Sequence, residues 1–110
     1  MLRPKRSIYP AAEKRFGKNP LPILISFSAG WCIHCTEMKP IVRKLSDELK
    51  TKVMILPVDI DDEPDLAEAA GIKAVPAFIA IDQARNLGGL LIGQQSEKEL
   101  HRLIEQVVSN

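Results

Sequence analysis

A chain of 110 residues has room for one domain with its own core but not for two ordinary ones. A hydrophobic share of 45% with 26% charged residues suits a soluble globular protein and argues against disorder or a membrane span. The net charge of +1 is uneven: residues 1–20 hold six of the fifteen basic side chains but one of the fourteen acidic ones, a basic arm on a mildly acidic body that implies no nucleic-acid partner.

Residues 1–20 therefore read as an arm, and residues 21–110 as the folded domain. No apolar stretch of about 7–15 residues follows "MLRPKRS", so the chain as given carries no export signal. The expected compartment is the cytoplasm, with a mature exported domain as the alternative. Within the arm, "AAEKRF" (Ala11 to Phe16) suggests a helix, and Arg6 to Tyr9 a further strand. "PILISFS", Pro22 to Ser28, is a short isoleucine-rich run ending at Ala29-Gly30 and reads as a buried strand.

From Cys32 onward, Met38, Ile41, Val42, Leu45 and Leu49 recur at spacings of three and four, as an amphipathic helix requires. Pro40 falls inside it and should kink it. "VMILPVDID" reads as a second strand and "EPDLAEAAGI" as a short helix, with Pro64 in its first turn and Gly71 at its end. "AFIAID" and "LGGLLIG" read as two strands joined by a hairpin at "QARN". Ser96 and Glu99 form a capping box for a last helix whose buried stripe is Leu100, Leu103, Ile104, Val107 and Val108. Strands alternating with helices predict an α/β fold, a central mixed sheet of four to five strands flanked by helices.

"WCIHC" holds both cysteines of the chain. Tetrahedral zinc needs about four ligands, and His34 lies between Cys32 and Cys35 with no second histidine three to five residues away, so no metal site is expected. As a structural staple the pair would close almost the shortest loop available. A redox pair fits better: two cysteines three apart at a helix start share one side and can open or close without moving the fold. The helix N-terminus favours thiolate at Cys32, which makes it the attacking cysteine, and Cys35, one turn inside, the resolving one.

A strand, then Trp31-Cys32-Ile33-His34-Cys35, a helix with Pro40, and later "GIKAVPAF" resemble the thioredoxin family from about Pro22 to Val108. The resemblance implies the thioredoxin fold and a thiol–disulfide oxidoreductase that exchanges disulfides with protein substrates and an unidentified redox partner. It implies no metal or organic cofactor, only a redox-active Cys32–Cys35 disulfide, in a monomer without stable membrane insertion. It also implies a cis peptide bond at Pro76 opposite the disulfide, with Val75, Trp31, Ile33 and Gly93 bordering an apolar substrate groove.

Thioredoxins proper carry an aspartate near the second cysteine, where this chain has Ser26, and the lysine that often accompanies it corresponds to Pro57. An ordered water or His34 would have to take the proton of Cys35. Pro57 also argues for an outer strand. The dipeptide Ile33-His34 replaces the Gly-Pro of reducing thioredoxins and resembles disulfide isomerases and oxidases. A histidine near the Cys32 sulfur favours the reduced form and would raise the potential by roughly 30–60 mV above the thioredoxin value of about −270 mV. A non-catalytic binding or assembly module is the alternative function, and His101, on the polar side of the last helix, receives no role.

Overall fold

The computed structural model describes Pro10, residues 12–14, Gly17 and residues 20–108. The expected strand at Arg6 to Tyr9 lies outside these residues. Of the expected helix at Ala11 to Phe16, residues 12–14 are helical, and Ala12 is buried against the sheet.

Four strands follow: β1 (Ile23–Ser28), β2 (Met54–Asp59), β3 (Ala77–Ile81) and β4 (Leu87–Ile92). Helix α1 (Ile33–Glu48) connects β1 to β2, α2 (Pro64–Ala70) connects β2 to β3, and α3 (Glu97–Val107) follows β4. The sheet order is β2-β1-β3-β4, with β1 and β2 parallel and the other pairs antiparallel. A parallel pair needs a long crossover, which α1 supplies, whereas β3 and β4 need only a hairpin.

Alternation along the central strands divides the core. Ile23, Ile25 and Phe27 of β1, with Ala77, Ile79 and Ile81 of β3, face Leu66 and Ala70 of α2. Leu24 and Phe78 point the other way, onto Met38 and Leu45 of α1 and Leu100 and Leu103 of α3. Both central strands are buried on both faces, which is why β1 reads as a continuous apolar run. Ser26 falls in the Leu24 row, the only buried polar residue of the described chain.

The glycines of β4 let α3 approach. A Cβ at Gly89 would lie 2.6 Å from Leu103 Cδ1, and one at Gly88 would overlap Val107. The β3–β4 register also shifts between Ala80 and Ile81, so that Gly88 is the extra residue of a bulge. The capping box at Ser96 is formed on both sides, and Gly71 ends α2 with φ of 72°. Pro40 lies inside α1, which nevertheless runs unbroken to Glu48. Pro57 is exposed on β2, the outermost strand among the described residues, where its missing N–H deprives no inner neighbour.

Candidate active site

The site begins where β1 hands the chain to α1. After Ser28 the backbone turns, Cys32 N–H donates to Ala29 O at 3.1 Å, and Cys32 becomes the N-cap of α1 with extended φ and ψ of −94° and 109°. A helix start leaves N–H groups without intrahelical partners. Here the Cys35 N–H donates to Cys32 Sγ at 3.2 Å. No acidic residue occupies the first turn of α1, so negative charge on that sulfur faces the positive end of the helix unopposed.

Cys32 and Cys35 are joined as a disulfide, their Cα atoms 5.2 Å apart. Cys32 is 7% exposed and Cys35 3%, so the more accessible sulfur is also the one at the helix end. Around them pack Ala29, Ile60 and Val75. The Val75 carbonyl oxygen is 3.7 Å from Cys32 Sγ. The Val75–Pro76 peptide bond is cis, and the Pro76 carbonyl accepts from Gly93 N–H at 2.7 Å. Gly93 has φ of 94°, a conformation that side chains resist. Residues far apart in sequence thus meet at Cys32.

The rim is apolar and exposed. Trp31 is 70% exposed, Ile33 69% and Ile92 42%. The Trp31 indole is held by its Nε1–H, which donates to Asp61 Oδ2 at 2.9 Å. Asp61 follows β2 in a turn anchored by the Asp59 carboxylate, which accepts from the Asp61 N–H at 2.8 Å.

His34, expected to act on Cys32 through its charge, pairs with a residue of its own helix. Its exposed ring lies along α1, with Nδ1 3.1 Å from Glu37 Oε1, and no hydrogen bond joins it to either sulfur. An i, i+3 pair on one helix face explains this. His101 is paired in the same way with Glu105.

Behind the disulfide, Ser26 and Pro57 face each other in the β1–β2 register. Neither fills the space under α1, and a cleft of about 390 Å³ opens there, lined by Ser26, Cys35, Met38, Lys39, Pro57 and further residues of α1 and the sheet. Among the described residues no group of three or more His, Cys, Asp or Glu side chains could hold a metal ion. No helix among them is long and apolar enough to cross a membrane.

With this geometry, the family model for thioredoxin matches residues 12–106. The chain belongs to the thioredoxin family. Among curated thioredoxins, that of Rickettsia bellii is 36% identical over 67 residues, covering 61% of this chain and 64% of its own. The chain thus spans less than two thirds of the length of the first relatives it matches. Among solved structures, mitochondrial thioredoxin 3 of Saccharomyces cerevisiae in its oxidised form is 27% identical, with a TM-score of 0.73 over 87% of each chain. A thioredoxin mutant from Halobacterium salinarum is 28% identical, with a TM-score of 0.72 over 81% of this chain and 76% of that one. The thioredoxin fold expected from "WCIHC" and "GIKAVPAF" is therefore the fold observed.

Three residues at the site escaped the sequence reading. Asp61 ends the run "VMILPVDID" read as the second strand, but the strand stops at Asp59 and Asp61 lies in the turn beyond it. Ile60, which packs on the disulfide, lies one residue beyond β2. Ile92 continues the apolar pattern of β4, and only its exposure separates it from the core.

Proposed function

We propose that this protein is a thiol–disulfide oxidoreductase that exchanges disulfides with protein substrates and needs no metal or organic cofactor. The observation that carries this reading is the Cys35 N–H aimed at Cys32 Sγ at the start of α1, a ready partner for a thiolate.

In the reducing direction Cys32 thiolate attacks a substrate disulfide, and a mixed disulfide forms as the first substrate thiolate leaves. Cys35 then attacks Cys32 Sγ, closes the Cys32–Cys35 bond and releases the second substrate thiol. In the oxidising direction the same steps run backwards. The apolar rim of Trp31, Ile33 and Gly93 receives the substrate, and the backbone at Val75 and Pro76 pairs with its extended chain. His34 adjusts the poise from a distance, with Glu37 sharing its charge when the ring is protonated. The working form in this reading is a cytoplasmic monomer.

Insulin reduction by dithiothreitol tests the activity. The protein should accelerate it, Cys32→Ser should abolish the acceleration, and Cys35→Ala should accumulate a covalent complex with its substrate. A rate equal to that of dithiothreitol alone, with nothing captured by Cys35→Ala, would leave the reading as a non-catalytic binding or assembly module.

A further inference from the structure

Cys35 must lose a proton before it can resolve a mixed disulfide, and the chain supplies no evident acceptor for it. Apolar Ala29, Ile60 and Val75 pack around the disulfide, surroundings that disfavour a bare thiolate. Glu37 is engaged with the exposed His34 ring. Asp47, the carboxylate of the cleft, is twelve residues along α1 from Cys35, roughly 18 Å at the helical rise.

What reaches Cys35 is the cleft. Cys35, 3% exposed at the surface, lines it from above, and Ser26 lines it from β1. Ser26 is 8% exposed, and its hydroxyl has no hydrogen-bond partner among the described residues. No side-chain polar atom there is both enclosed and unsatisfied, so the Ser26 hydroxyl is not sealed off, and Ser26 belongs to the cleft lining. Lys39 and Arg43, one helical turn apart, stand along the α1 side. Both are exposed, and neither is in an ion pair among the described residues. The remaining wall is largely apolar, with Met38, Ile55, Pro57 and Phe78, and its other polar residues are Ser28, Ser46 and Asp47. A volume of about 390 Å³ holds on the order of ten waters, ample for a small hydrated anion.

We propose that this cleft binds a small carboxylate from solution, which accepts the Cys35 proton during resolution. This deepens the proposed thiol–disulfide exchange and rests on it. Lys39 and Arg43 attract the anion, and the Ser26 hydroxyl donates to one of its oxygens. The Cys35 thiol gives its proton to the carboxylate, which becomes the neutral acid, and the Cys35 thiolate attacks Cys32 Sγ. The Cys32–Cys35 bond forms with both cysteines oxidised, while the Cys32–substrate bond breaks. The substrate leaves as a thiolate carrying the electron pair and takes a proton from water. The acid then returns its proton to solvent.

The reaction of the reduced protein with a chromogenic aromatic disulfide separates the steps, because the first coloured thiolate reports Cys32 attack and the second reports Cys35 resolution. Formate or acetate should replace chloride at constant pH and ionic strength. The second release should accelerate with carboxylate and saturate, by about tenfold, below the ~10²–10⁴-fold of a positioned general base. The first release should not respond. Lys39→Ala with Arg43→Ala should raise the half-saturating concentration. Ser26→Asp, its fold checked by circular dichroism, should make the second release fast and indifferent to added carboxylate.

A second release indifferent to carboxylate in the unmodified protein overturns the proposal, as does an equal acceleration of both releases. If no coloured thiolate is released at all, the exchange reading fails instead.

Discussion

His34 and Glu37 set the sharpest residue-scale expectation. The Cys-x-x-Cys spacing and Trp31 were legible because their chemistry is local, and His34 was legible as the unusual member of the dipeptide. Its orientation was not, although the i, i+3 spacing to Glu37 was in plain view, because a surface ring has several rotamers and the winner depends on its neighbours. A ring held by a carboxylate sends less positive charge to Cys32 than a free one. The potential should therefore stand above about −270 mV by an amount near 30 mV, the lower end of the range that a histidine at this place implies. His34→Pro should bring it down to the thioredoxin range, and Glu37→Gln should raise it by roughly 10 mV or more. Equilibration with glutathione, read by thiol titration, checks all three. A Glu37→Gln potential below that of the unmodified protein would contradict the pairing. At Ser26 and Pro57 each departure was readable alone, but the cleft they leave under α1 requires knowing that they are register partners.

At the scale of elements, α3 shows where sequence patterns suffice and where they stop. Its start was legible because the capping box is a four-residue signal, and its stripe because Leu100, Leu103, Ile104 and Val107 repeat with the helical period. The glycines of β4 carried no such message: a glycine in a strand signals close approach by something, but which helix approaches is a tertiary fact. Gly89→Val should drive a side chain into Leu103 and destabilise the protein by about 1–3 kcal/mol, measured as a lower urea midpoint.

Ser96→Ala should cost about 1 kcal/mol at neutral pH. The Glu99 carboxyl is held below its ordinary value of 4.5, first by the Ser96 backbone N–H and then by the Ser96 hydroxyl. A carboxyl shifted downward contributes stability that is present above its unfolded value and is lost as pH falls through the folded one. The deficit of Ser96→Ala should accordingly shrink in urea titrations carried below about pH 4.5, the ordinary value. A deficit unchanged in acid would show that the Ser96 hydroxyl contributes nothing through Glu99.

For the whole molecule, the alternation of strands and helices was enough to predict a mixed sheet covered on both faces, because burial on two faces leaves long apolar runs. Strand order and the depth of the site were beyond it, since they depend on which distant segments meet, as Val75 does with Cys32 and Gly93 with Pro76. Redox state and global stability are linked here. The disulfide closes a four-residue loop, so what distinguishes the oxidised from the reduced fold is set mainly by how well the native site accommodates each. Every 30 mV by which His34→Pro lowers the potential should add about 1.4 kcal/mol to the stability of the oxidised form relative to the reduced one. Urea curves with and without dithiothreitol measure that gap, and an unchanged gap beside a changed potential would break the linkage. The Cys35 N–H on Cys32 Sγ carries the coupling to a backbone atom. Its exchange with deuterium should be slow when Cys32 is a thiolate and quicker in the disulfide, so one amide proton registers the charge on the sulfur without any substrate present.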